Sequence, residues 1–187
     1  MNEIVISESD IIKGVKYVQL ASSIEGNFTE DELKELFPEV NWGQTQSEEI
    51  GLKKDELRGL YCYHRQTRYL YLVSGEILVG LCDLRQHFPT FQDQGIRKTM
   101  ATMLGMKGVD RIALLIHPRI AYGFLARKEA KLISIASQDD SKKLDRFGLA
   151  WDDPVLGLNW GIENPILSKR DMNNPFLKDI PKEDLPG

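Results

Sequence analysis

The stretch Leu57-Arg-Gly-Leu-Tyr-Cys-Tyr63, His64-Arg-Gln-Thr67, Arg68-Tyr-Leu-Tyr-Leu-Val73, Ser74-Gly75, Glu76-Ile-Leu-Val-Gly-Leu-Cys-Asp-Leu84 sets the fold class. It holds three short runs rich in β-branched and aromatic residues, parted by turn-forming residues, and each run reads as a β-strand. The pattern continues downstream. Ile96 to Leu104, Asp110 to Ile116, Ala121 to Ala126 and Lys131 to Ser137 are further strand candidates, punctuated by Pro89, Met106-Lys-Gly108 and Pro118. Many short strands at this spacing predict an all-β sandwich or barrel.

Upstream, Gly14 to Leu20 alternates and reads as a strand. Thr29-Glu-Asp-Glu32 is a capping box ahead of Leu33, Leu36 and Phe37, so one short helix is expected there. Asn41 to Lys54 is polar and reads as a loop. From Trp151-Asp-Asp-Pro154 onward, Asp, Asn, Pro and Gly surround isolated large apolar residues, which predicts a tail packed on the barrel. The expected organisation is one domain over 1–187: an N-terminal strand, helix and loop (1–56), a barrel core (57–137) and a C-terminal segment (138–187).

Composition agrees with a single globular unit. The chain has 187 residues, 42% hydrophobic and 28% charged, enough to bury a full core without staples. A net charge of −4 gives no broad electrostatic claim on nucleic acid. The apolar runs, such as Ile112 to Ile116, are far short of the roughly 18 residues of a membrane span. Met1-Asn-Glu-Ile lacks the basic and apolar regions of a secretory signal, and Cys62 and Cys82 read as buried reduced thiols. The expected location is therefore cytoplasmic, with no nucleic-acid or membrane partner.

Most familiar catalytic motifs are missing. There is no G-x-S-x-G, P-loop, G-x-G-x-x-G or H-E-x-x-H. His64, His87 and His117 are far apart and form no H-x-H, so no metal site is expected.

A set of motifs remains: Leu57-Arg-Gly-Leu60, Val73-Ser-Gly-Glu-Ile77, Cys82-Asp-Leu-Arg85, Phe88-Pro-Thr-Phe91, Ala121-Tyr-Gly-Phe124, Trp151-Asp-Asp-Pro-Val-Leu-Gly-Leu-Asn-Trp160 and Pro165-Ile-Leu-Ser-Lys-Arg-Asp171. Over Gly14 to Leu177 this set resembles the dTDP-4-dehydrorhamnose 3,5-epimerase family. The resemblance implies a cupin-type jelly roll working as a homodimer on a nucleotide-linked 4-keto-6-deoxy sugar. It implies no cofactor, because the ketone already acidifies the C–H bonds beside it. It also implies a base, a stabiliser for the enolate oxygen and an acid on the opposite face.

Carried over residue by residue, the resemblance puts Tyr61 where the family has its basic His. Asp171 falls where the family has the Asp that orients that His. These two are the candidate catalytic residues. An ordinary Tyr titrates near 10, and a neighbouring carboxylate raises that value, so Tyr61 is a poor base. The family's acidic Tyr falls near Ile135, and its two nearby tyrosines have no counterpart in Ser137 to Ser141. Tyr122 stands where A-H-G-F has His. The early Arg and Glu of the family are replaced by Ser22-Ser-Ile-Glu-Gly-Asn-Phe28. Arg58, Arg68 and Arg170 keep cations at family positions, and with Tyr122 they are the candidate substrate-binding residues. His64 would point away from Tyr61 and Tyr63 by strand alternation. Tyr61, Tyr63, Tyr69 and Tyr71 read either as an aromatic pocket or as core.

Three functions stay open on these residues: a sugar-nucleotide isomerase with unusual acid and base, a non-catalytic binding or assembly protein on the same dimeric fold, and a lyase or isomerase for an unrelated carbonyl compound.

Overall fold

The structure is a computed structural model, and it describes residues 4–85, 100–138, 146–181 and 185. The Phe88-Pro-Thr-Phe91 motif, His87, Pro89, the first residues of the Ile96 to Leu104 strand and most of Ser137 to Ser141 lie outside the described residues.

Two antiparallel sheets lie face to face. The first has the order β1 (Ile4–Glu8), β2 (Val15–Leu20), β8 (Ile112–Ile116), β5 (Arg68–Ser74), β10 (Ala130–Ala136), β3 (Gln46–Leu52). The second has the order β11 (Arg146–Gly148), β4 (Glu56–Tyr63), β9 (Ile120–Ala126), β6 (Glu76–Asp83), β7 (Met100–Lys107). A short β12 (Ile166–Leu167) runs parallel to β4 at the edge. This is the all-β jelly-roll architecture expected from the sequence.

Three apolar layers explain why the strands read as nearly continuous hydrophobic runs rather than as alternating ones: both faces of each sheet are covered. Leu70, Leu72, Leu114, Ile116, Val79, Leu81 and Phe124 fill the space between the sheets. Tyr69, Tyr71, Leu115, Ala113 and Ile135 lie on the outer face of the first sheet, beneath α1 (Glu30–Leu36) and its neighbours Phe28, Phe37 and Trp42. Leu57, Leu60, Cys62, Cys82 and Leu125 lie on the outer face of the second sheet, beneath Leu149, Leu156, Trp160 and Leu177.

Local chemistry fixes both coverings. The capping box forms: the Thr29 N–H donates to Glu32 at 2.7 Å and the Glu32 N–H donates to Thr29 Oγ1 at 3.3 Å. This starts α1, which drives Leu33 and Phe37 into full burial. In the C-terminal segment the buried Asp153 accepts from the Val155 N–H at 2.8 Å and from the Leu177 N–H at 2.6 Å. That carboxylate pins two distant pieces of the tail to each other, so in the Trp-Asp-Asp-Pro motif Asp153 is structural.

Two sequence expectations need correction. Asn41 to Lys54 is not wholly a loop, because Gln46–Leu52 forms β3, paired along its length with β10. Its polar residues face solvent on an edge strand, which hides the alternation that marks other strands. The Met106-Lys-Gly108 break is also displaced, because β7 runs through Lys107 before the turn at Gly108–Asp110. The short β1, β11 and β12 carry too few residues for a period to be read.

Candidate functional site

A cavity of about 180 Å³ opens between the sheets. Its lining includes Arg58, Tyr61, Tyr63, Arg68, Tyr122, Ser134, Arg146 and Arg170. The structure thus gathers all four candidate binding residues and Tyr61 at one place, and sets Asp171 directly behind Tyr61. A space this small is below the roughly 300–1,000 Å³ of a whole-ligand cleft. It suits one ring of a ligand, with the remainder at the mouth.

A bulge makes the gathering possible. β4 and β9 pair Arg58 with Phe124 and Tyr61 with Tyr122, so three steps on β4 match two on β9. The surplus residue reverses the parity of the strand. Arg58 and Tyr61, an odd number apart, therefore face the same cavity, while Leu57, Leu60 and Cys62 face the other layer. Gly59 and Gly123 sit back to back at this point. A Cβ on Gly59 would meet Gly123 Cα at 2.7 Å and the Tyr122 carbonyl at 2.8 Å, and Gly59 has φ +112°. Only glycine fits both the contact and the angle. The glycines of L-R-G-L and A-Y-G-F are thus one structural device in two pieces.

Tyr61 is 8% exposed, and its hydroxyl donates to Asp171 Oδ2 at 3.1 Å. Asp171 sits in the turn Asp171–Asn173 with its side chain fully buried. Its Oδ1 accepts from Arg170 Nε and Nη2, both at 3.2 Å, and its own N–H donates to Ser168 Oγ at 3.1 Å. The carboxylate is therefore paired as a buried charge must be. Arg170 also lies over the Tyr61 ring at 4.7 Å. Burial first, and then the Asp171 charge, push the Tyr61 phenol up to about 12. Its proton stays on at neutral pH and is committed to Asp171.

Tyr122 stacks on Tyr63 with centroids 6.2 Å apart and meets Tyr61 edge-on at 6.1 Å. Burial also raises its phenol. Arg58 is tied to Glu56, with Nη2–Oε1 at 2.7 Å. Arg68 lies over Tyr63 at 4.0 Å, and one of its terminal nitrogens donates to Gln66 at 3.0 Å.

Not every expected residue is at the cavity. Ile135 packs beneath α1 in the outer layer, so it does not occupy the face where an acid would act. Alternation along β10 sends Ser134 into the cavity instead. Tyr69 and Tyr71 also belong to the outer layer, whereas Tyr61 and Tyr63 line the cavity, so the four tyrosines divide between pocket and core. His64 lies past the end of β4 against Phe147, with ring centroids 5.3 Å apart, outside the cavity. Arg146 was not visible from the sequence. It sits in a strand of three residues, too short for a pattern, and donates to the Tyr63 hydroxyl at 3.4 Å. Among the described residues no three His, Cys, Asp or Glu side chains cluster so as to hold a metal. No helix among them is long and apolar enough to cross a membrane.

Comparison with known proteins agrees with this geometry. Among curated relatives, dTDP-4-dehydrorhamnose 3,5-epimerases from Shigella flexneri and Sinorhizobium fredii are 26% and 27% identical. The first match covers 67% of each chain, and the second covers 79% of this chain and 78% of the relative. Among solved structures, the dTDP-6-deoxy-D-glucose-3,5-epimerase of Legionella pneumophila, in complex with dTDP-4-keto-L-rhamnose, superposes with a TM-score of 0.76 at 20% identity. That match covers 98% of each chain. The Streptococcus suis protein of the same fold, in complex with dTDP-D-xylose, gives 0.74 at 21% identity, covering 98% of this chain and 97% of that one. The family model for dTDP-4-dehydrorhamnose 3,5-epimerase matches residues 11–179, which includes every described strand but β1, the glycine device and the Tyr61–Asp171 pair. This chain belongs to the dTDP-4-dehydrorhamnose 3,5-epimerase family.

Proposed function

We propose that this protein, as a homodimer, binds a nucleotide-linked 4-keto-6-deoxy sugar in the inter-sheet cavity, and that ordinary 3,5-epimerisation is not its chemistry. The sugar ring enters the cavity among Tyr61, Tyr63 and Tyr122. Arg58 and Arg170 hold the diphosphate at the mouth, where guanidinium forks suit phosphate oxygens.

The carrying observation is the Tyr61–Asp171 pair. Epimerisation beside a ketone needs a base at the C–H bond. A phenol held near 12 is ionised in only about one molecule in 10⁵ at pH 7. Its one proton is engaged by Asp171, so it donates nothing to a ketone oxygen either. No histidine lines the cavity among the described residues. A ligand ring is thus gripped without a group poised to move its protons. The dTDP-sugar complexes of the Legionella and Streptococcus relatives support the ligand class.

Two measurements test this. Calorimetry with dTDP-D-xylose should show binding that weakens in Arg58→Ala; no binding by the unmutated protein refutes the ligand. A dTDP-4-keto-6-deoxyhexose in deuterated water should show no family-like exchange at C3 and C5. Fast exchange at both carbons refutes the loss of epimerisation.

A further inference from the structure

Among the described residues one acidic side chain lines the cavity, that of Glu48. It stands on β3, where Glu48, Ile50 and Leu52 turn inward by alternation. Ile50 lines the cavity with it, and Leu52 joins the layer between the sheets. Glu48 pairs in register with Ser134 of β10, which pairs in turn with Leu70 of β5. The three therefore form one row on the wall that the first sheet gives the cavity, while Tyr61, Tyr63 and Tyr122 line it from the second sheet. The outward neighbour Glu49 is paired with Lys131 at 2.8 Å. Glu48 has no ion pair or hydrogen bond among the described residues. Since β3 is an edge strand and Glu48 is exposed, its carboxylate stands at the rim with its lone pairs open.

An ionised carboxylate accepts hydrogen bonds and donates none. A 4-keto-6-deoxy hexose joined to its nucleotide through C1 offers few groups in reply. The C4 ketone also only accepts, C6 is a methyl group, and the hydroxyls at C2 and C3 are the donors. With the diphosphate at the mouth, C4 lies deepest, and the C2 hydroxyl, beside the anomeric carbon, lies nearest the rim. We propose that Glu48 is a specificity-determining residue that accepts a hydrogen bond from the C2 hydroxyl of the bound sugar. This rests on the nucleotide-sugar reading and deepens it: the ligand keeps its 2-hydroxyl, and 2-deoxy sugars are rejected. The same bond sets the direction of the ring, because a ketone oxygen turned toward Glu48 would meet a charge of its own sign.

The test is calorimetric titration of the full chain with three probes: dTDP, dTDP-6-deoxy-D-glucose and the counterpart of that sugar nucleotide lacking the 2-hydroxyl. The 2-hydroxyl should tighten binding about tenfold, the scale of a hydrogen bond to a charged group. Glu48→Ala should bring that ratio close to one and leave dTDP no weaker. Glu48→Gln, which still accepts through its amide oxygen, should restore part of the ratio. Glu48 is exposed and holds no other group in place, so melting curves of both variants should match that of the unmutated protein. If the 2-deoxy probe binds as well as its parent, or the ratio survives Glu48→Ala, the role of Glu48 is refuted while sugar-nucleotide binding stands. If Glu48→Ala weakens all three probes by one common factor, Glu48 acts on the nucleotide, and its reading of the ring is refuted. If none of the three binds, the underlying nucleotide-sugar reading fails instead.

Discussion

Replacing Tyr61 by Phe takes away one oxygen and leaves the ring, its edge contact with Tyr122 and its place beneath Arg170. What remains is Asp171 Oδ2 without its donor, on a residue 1% exposed. With the carboxylate buried, the desolvation of a charged acceptor is no longer fully compensated. Such a loss costs about 1–3 kcal/mol. For a chain of this size each kcal/mol lowers the melting temperature by roughly 2–4 °C, so Tyr61→Phe should melt about 2–12 °C below the unmutated protein. Urea unfolding gives the free energy directly. Asp171→Asn and the double variant complete a cycle, with a coupling of about 1.5–3 kcal/mol expected for a hydrogen bond to a charge. If Tyr61→Phe changes stability by less than about 0.5 kcal/mol, or the two losses simply add, Asp171 is not held by this phenol. The account of Tyr61 as a committed donor then fails with it.

Other outcomes follow from the same coordinates. In the unfolded chain Tyr61 titrates near 10 and in the folded chain near 12. Between these values the unfolded state binds fewer protons, and stability falls as pH rises. The stability difference between the unmutated protein and Tyr61→Phe should therefore shrink across pH 10 to 12, by up to about 3 kcal/mol; a constant difference contradicts the shift. Gly59→Ala combines a positive φ with a Cβ 2.7 Å from Gly123 Cα, and should cost about 2–6 kcal/mol by chemical denaturation. Asp153→Ala strands the Val155 and Leu177 N–H groups, so limited proteolysis should cut the C-terminal segment well before the barrel, and uniform cleavage would contradict this. Thr29→Ala should cost about 1 kcal/mol through the lost cap, with little change at the cavity.

The sequence made the strands legible wherever two covered faces demanded apolar residues at successive positions, as from Tyr69 to Leu72 and along Ile120–Ala126. It also revealed the helix start, because Thr29 and Glu32 act locally. The motif arginines and Tyr61 could be placed by resemblance, and they meet at one cavity. β3 escaped because its residues answer to solvent rather than to a core. Ser134 and Ile135 were exchanged in importance because counting from a distant anchor cannot fix which of two neighbours faces inward. Arg146 escaped altogether, since a strand of three residues has no period and its partner Tyr63 lies 83 positions away.

The doubled step at Gly59 and Leu60 means that the chemistry of this barrel is a matter of odd and even. Lengthening β4 by one residue between Arg58 and Gly59 would leave composition and hydrophobicity almost untouched. Yet, with Tyr61 held in place, Leu57 would be dealt into the cavity, Arg58 would be turned against the tail, and the basic mouth would lose a member. Insertions beside this crossing are thus far more consequential for ligand choice than most substitutions in the lining.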